Sequence, residues 1–313
     1  MDNAEARETD HFGGGDDLMN KVGSGKYTYE LIQDWAKLPS GESFAMVSAI
    51  AADSQDRIYA FQRKDPPVLI FDLEGNFLSS WGNGAFLFPH GFSIANDTVY
   101  LTDRDASVCF VYTLDGKPLQ MLGKHGEHSD TGCEIPAELV PRSAGPFNYP
   151  SELVTSPSGD LYVSDGYRNA RVHRFSQNGE LKSSWGEPGK TDPNQFHLPH
   201  SLVVDANGTV YLCDRENHRI QVFNVDGDFV AMWNDIQRPM DITIGTDGIF
   251  YVSEGGVDGS SARISLLDSE GKVLARFDCR GSGHGSWVDP QGNIYVGLGL
   301  GEPGGVDKYV LVS

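Results

Sequence analysis

Three histidines, His90, His200 and His284, occupy matching points of a repeated phrase. His90 and His200 each follow a proline, in FPHGFSI and LPHSLVV, where a short apolar run begins; His284 follows Gly283. Across six such units the matching positions read as Val47, His90, Ser151, His200, Met240 and His284, so histidine fills every second one. Imidazoles entering from alternate units of a closed six-fold ring converge on its axis. Three histidines around one point form a catalytic zinc arrangement with a fourth position left for water or substrate. The same donors also suit iron, manganese or copper. The remaining histidines, His11, His125, His128, His173, His197 and His218, follow no such pattern and read as surface or loop residues.

A second set follows the tyrosine of each unit by four or five residues: Arg63, Arg104, Tyr167, Arg215, Gly255 and Gly299. Antiparallel pairing of neighbouring strands brings it to the face that holds the histidines. Planar guanidinium groups match a carboxylate in bidentate fashion. Arg63, Arg104 and Arg215 are therefore expected to bind substrate, with Ser151 and Met240 as further contacts. Each arginine also has an acid nearby in sequence, Asp65, Asp105 or Glu216, which offers a purely structural pairing. Tyr167 breaks the arginine pattern and, as its phenolate, is a candidate base. Asp103, Asp165 and Asp214 recur too regularly to be catalytic and read as structural.

The positioning elements are short strands. DRIYAF, DTVYLTD, GDLYVSD, GTVYLCD, GIFYVSE and GNIYVGL place tyrosines at 59, 100, 162, 211, 251 and 295, with gaps of 41, 62, 49, 40 and 44 residues. Most are followed by strand, Asp-Gly-like turn and strand, as in IFDLEGNFLSSWG. With one strand upstream, each unit has four. Six units of this period predict an all-β, six-bladed propeller over residues 26–313. The sixth unit lacks its last strand, and the segment from Tyr27 to Leu38 is placed to supply it and close the ring. The long gap marks a surface insertion at 124–147. Residues 1–25 are polar and acidic and read as a disordered leader.

Lys and Arg total 24 against 44 Asp and Glu, for a net charge of −20. That excess disfavours nucleic acid and anionic membranes. No apolar run approaches the roughly 18 residues of a membrane span. The leader has neither the basic nor the apolar region of a secretory signal. The four cysteines form no CxxC pair, and a reducing, cytoplasmic setting is expected.

The repeated phrases resemble NHL repeats over nearly the whole chain after the leader. FPHGFSI, SDGYRNARV, LPHSLVV and DRENHRIQVF together resemble the lyase domain of peptidylglycine α-amidating enzymes, peptidyl-α-hydroxyglycine α-amidating lyase. That family is a six-bladed propeller that cleaves peptidyl-α-hydroxyglycine to a peptide amide and glyoxylate. The resemblance implies zinc on His90, His200 and His284, a catalytic role for Tyr167, and substrate-site roles for Arg63 and Arg215. It implies no arginine at 104. The family's structural calcium needs an aspartate after the last histidine, where this chain has Gly285. Its disulfide cysteine after the tyrosine is Arg168 here, while Cys213 matches a family cysteine.

The expected function is thus a zinc-dependent C–N lyase acting on a small-molecule or peptide N-acyl-α-hydroxyglycine carboxylate. Two other readings stand beside it. One is a metal-dependent hydrolase of a carboxylate-bearing ester, lactone or amide. The other is a non-enzymatic NHL propeller that binds a protein, against which the three histidines argue. Calcium-dependent lactonase propellers fit less well, because their axial ligands are Asp, Asn and Glu.

Overall fold

The computed structural model describes residues 21–299 and 303–312. Six antiparallel sheets follow one another, each with its first strand innermost. The innermost strands are Val47–Ala52, Pro89–Ala95, Pro150–Thr155, Pro199–Val204, Pro239–Ile244 and Ser286–Val288. They define blades 1 to 6. The second strands are Ile58–Gln62, Thr98–Asp103, Leu161–Asp165, Val210–Asp214, Phe250–Glu254 and Ile294–Leu298. Each pairs antiparallel with its inner neighbour. The only helical turn among the described residues is Arg215–Asn217.

Apolar alternation on the inner strands places side chains in the seams between blades. The repeat tyrosines Tyr59, Tyr162, Tyr211, Tyr251 and Tyr295 are buried there. Buried aromatics of this size each contribute roughly 1.5–3 kcal/mol by leaving water. The outer hairpins turn on glycines with positive φ, such as Gly75 at 85°, a conformation that disfavours a Cβ.

The ring closes between the two ends of the chain. Tyr27–Ile32 pairs antiparallel with Gly305–Leu311, with Tyr29 opposite Leu311, and becomes the fourth strand of blade 6. Tyr29 is fully buried in that seam. One boundary is corrected. Residues 21–24, expected within the unstructured leader, form a fifth strand, Lys21–Ser24, that pairs with Tyr27–Ile32. Two glycines make that hairpin possible: Gly23 lies at φ 84° and Gly25 at 58°. His11 and the rest of residues 1–20 lie outside the described residues. No helix among the described residues is long and apolar enough to cross a membrane. All four cysteines are free thiols.

A candidate metal centre on the propeller axis

The innermost strands carry a bulge just where the histidines stand. The register shifts between Pro89 and Phe92 in blade 2, and between Pro199 and Leu202 in blade 4. An extra residue at a bulge re-aims a side chain, and here it turns His90 and His200 to the axis; His284 stands just ahead of the blade 6 strand Ser286–Val288. The repeat acids fix the approach to that strand. Asp103 accepts the N–H groups of Leu87 and Phe88 at 2.7 and 2.9 Å. Asp165 accepts that of Asn148 at 3.0 Å, and Asp214 that of His197 at 2.8 Å. Leu198 takes φ 62° ahead of Pro199, and its carbonyl accepts the Arg215 N–H at 3.2 Å. The prolines thus mark a tightly held turn onto the axis.

His90, His200 and His284 are buried, and their ligand atoms lie within 4.8 Å of one another. Each Nδ1 meets a backbone carbonyl of the following blade: His90 with Ser151 O at 2.7 Å, His200 with Met240 O at 2.5 Å, His284 with Ser48 O at 2.9 Å. A carbonyl only accepts, so each Nδ1 carries the hydrogen and each Nε2 presents its lone pair to the axis. Burial, aided by the neighbouring histidines and arginines, holds all three pKa values well below the ordinary imidazole value.

The donors facing these lone pairs are too few. Tyr167 Oη lies 3.0 Å from His90 Nε2 and 3.1 Å from His200 Nε2, yet has one hydrogen to give. Arg63 Nη2 lies 3.3 Å from His284 Nε2. One buried imidazole acceptor is left without a donor, a defect a cation repairs. An adjoining axial cavity of about 10 Å³, lined also by Glu152 and Asp241, is the size of one water or ion. The residues fit a divalent metal of the imidazole-binding class.

Two glycines let the blades close in this way. A Cβ at Gly91 would meet Ser151 O at 2.5 Å, and one at Gly285 would meet Ser48 O at 2.4 Å. These are the carbonyls that accept from His90 and His284. The calcium-binding aspartate of the resembling family therefore has no room at position 285.

Above the triad runs the second ring. The N–H of Arg63, Arg104, Tyr167, Arg215 and Gly255 each donates to the residue two before the histidine level: Met46, Phe88, Tyr149, Leu198 and Arg238. Blade 3 reaches this point with one extra residue, Gly166. A Cβ there would stand 2.0 Å from Pro199 O, so glycine alone permits the step that carries Tyr167 over the axis.

The insertion holds the same strand end. Ala137 N donates to Tyr167 O at 2.7 Å and Thr131 Oγ1 to Arg168 O at 2.6 Å. Arg168, where the resembling family has a disulfide cysteine, bonds to Cys133 O at 2.8 Å and Glu134 at 2.7 Å.

The three arginines differ in what holds them. Arg215 gives Nη1 to Tyr167 Oη at 3.1 Å and pairs with Glu216 at 2.9 Å. Glu216 also binds Arg238 at 3.0 Å. Arg104 gives Nε to Asp105 at 2.7 Å. Arg63 has no carboxylate partner among the described residues; Asp65 instead accepts the Gly84 N–H. Burial, with the Arg104 and Arg215 charges, pulls Arg63 down to about 10 against the opposing influence of Tyr167.

Several expectations need correction. Ser151 turns its hydroxyl away from the mouth, to Ser164 and to Pro199 O at 2.9 Å. Its contribution is the carbonyl that orients His90. Met240 is buried beneath Gly255 and likewise serves through its carbonyl. The blade 1 equivalent of the histidines is Ser48, not Val47: Val47 pairs with Gln62 as Pro89 pairs with Asp103. His173 is not on the surface but fully buried, between Asp165 and Ser184. Phe88 and Tyr149, which flank Arg104, were missed because their apolar rings look like core.

Fold and site together define a six-bladed propeller with three histidines on its axis. Residues 147–175 and 196–223 match the NHL repeat model. Human NHL repeat-containing protein 3 is 32% identical over 247 residues, covering 72% of this chain and 67% of that protein. The chain belongs to this NHL-repeat family. Xenopus laevis peptidyl-glycine alpha-amidating monooxygenase A is 32% identical over 251 residues, of which the chain spans 25%. Drosophila melanogaster peptidyl-alpha-hydroxyglycine alpha-amidating lyase 1 is 30% identical over 174 residues, 51% of this chain and 30% of that one. The chain thus spans under a third of these enzymes' length. A solved streptogramin B lyase shares the fold at TM-score 0.64 and 12% identity, covering 91% of this chain and 98% of that one.

Proposed function

We propose that this propeller is a metal-dependent C–N lyase. It cleaves an N-acyl-α-hydroxyglycine to the acyl amide and glyoxylate, with His90, His200 and His284 holding the metal and zinc the first choice. The observation that carries the reading is Tyr167 Oη, placed between two inward-facing Nε2 atoms and against Arg215 Nη1. The names of the amidating relatives support it.

A divalent cation bound to the triad supplies Lewis acidity toward the substrate hydroxyl. Tyr167, as phenolate, takes the hydroxyl proton. The C–N bond breaks as the aldehyde C=O of glyoxylate forms, and the same proton passes to the departing amide nitrogen. Arg215 balances the phenolate charge through its contact at Oη. Arg63, partly buried and with no acid partner among the described residues, receives the substrate carboxylate, and its partial burial strengthens the pairing.

Incubation of the zinc-loaded protein with α-hydroxyhippurate tests this. Benzamide and glyoxylate are expected in equal amounts, with kcat lowered on the order of a hundredfold or more in Tyr167→Phe. Release of benzoate and ammonia in place of benzamide would replace the lyase with a hydrolase, because the α-hydroxyglycine freed by amide hydrolysis itself collapses to glyoxylate. Neither product would contradict both.

A further inference from the structure

The rim carries more cationic capacity than one substrate carboxylate uses. Among the described residues, Arg63, Arg104, Arg215 and Arg238 form ion pairs only with Asp105 and Glu216. This leaves a positive surplus on a chain whose net charge is −20. The unengaged N–H groups are not spread evenly. Arg215 is committed to Tyr167 and Glu216. Arg104 uses only Nε, and both its terminal nitrogens lack a hydrogen-bond partner among the described residues. Arg63 Nη1 is likewise without one.

Arg104 is also held in place. Its guanidinium carbon lies 3.7 Å from the Phe88 ring centroid and 5.3 Å from that of Tyr149. Asp105 fixes the Nε edge, and the Arg104 side chain is 14% exposed. A guanidinium stacked between rings with its fork free is preorganised for a planar anion. Phe88 also carries Arg63, at 4.4 Å, so two cations flank one ring beside the triad. The Arg104 carbon is 4.8 Å from the Tyr167 ring centroid, which puts a group bound there beside the reacting centre.

We propose that Arg104 forms a second anion subsite, and that the substrate is an N-acyl-α-hydroxyglycine whose acyl part carries its own carboxylate. Arg63 takes the glycine carboxylate and Arg104 the acyl one. A carboxylate suits the subsite better than a phosphate, since Asp105 already neutralises part of its charge. The assignment rests on the acyl-α-hydroxyglycine reading for the first carboxylate.

Calorimetric binding of two unreactive glycines to the zinc-loaded protein tests it. N-succinylglycine and N-butanoylglycine differ only by a terminal carboxylate in place of a methyl group. The wild type is expected to bind the succinyl compound at least about tenfold more tightly. That ratio is expected to fall to about one in Arg104→Gln, which keeps the stacking stem, and to recover in part in Arg104→Lys. Equal affinities in the wild type, no binding of either compound, or a preference that survives Arg104→Gln would overturn the subsite. Near-ultraviolet circular dichroism confirms that each variant is folded. If the preference holds but no glyoxylate forms from the α-hydroxylated compounds, the lyase reading fails and the subsite stands.

Discussion

His90 Nδ1 lies 2.7 Å from the carbonyl oxygen of Ser151, on the next blade. The same contact joins His200 to Met240 and His284 to Ser48. One backbone atom of each odd blade therefore sets the tautomer of the histidine before it. The close approach needs Gly91 and Gly285, which let the neighbouring strand in. Blade packing and ligand orientation are thus a single feature, and the propeller presents three lone pairs inward without any side chain in an orienting role.

Tyr167 depends on a different close approach. In Gly166→Ala the new Cβ would meet Pro199 O at 2.0 Å. The expected loss is about 1–3 kcal/mol of stability, with glyoxylate release falling by more than stability alone explains. Gly145→Ala, where a Cβ meets nothing within 4 Å, is the control and should be near neutral. Urea midpoints and product assays on both variants check this. Equal behaviour of the two would contradict the packing account.

The histidines impose a pH dependence on the metal-free protein. Their folded-state pKa values are depressed by burial first and by neighbouring charges second. Below the unfolded value of about 6.5 the unfolded chain binds more protons, so stability falls as pH falls. Burial raises Glu152 and Asp241, which act in the opposite sense. Comparison with His284→Asn removes that contribution. From about pH 7.5 to about pH 5.5 the wild type should lose about 1 kcal/mol more than the variant. Parallel losses in chelator-treated protein would show that His284 is not held neutral.

The thiols should be inert in the native state. Burial pushes Cys109 and Cys213 well above the usual thiol range, and Cys279 up to about 12. Thiolate is the reactive form, so at about pH 8 alkylation of these three should run at least about a hundredfold slower than for free cysteine. Full labelling is expected only in denaturant. Mass-spectrometric mapping after iodoacetamide reads this directly, and rapid native labelling at Cys213 would contradict the burial of that seam.

Much of this was legible in the sequence. The tyrosine phrase set the period, and the period set the register that placed His90, His200 and His284 together. The rim followed from Arg63, Arg104, Tyr167 and Arg215 by counting from the same tyrosines. The failures each have a physical cause. Blade 1 has neither the proline nor the acid of blades 2 to 5, so Val47 was aligned where Ser48 belongs. The bulge at the histidine level breaks strand alternation, which hid that Ser151 turns its hydroxyl into a seam. The 124–147 insertion has no periodicity to read, and its grip on Tyr167 and Arg168 depends on backbone atoms that no residue type reveals. Carbonyl ligation of Nδ1 is invisible for the same reason, though the glycine after His90 and after His284 was its trace.

The most direct test of the central claim is metal content per chain, by elemental mass spectrometry of untagged protein purified without chelator and then offered zinc. The account predicts about one divalent ion per chain, lost in a folded His200→Ala variant. A folded wild type that neither retains nor takes up a metal would contradict it, and with it the lyase chemistry built on the triad.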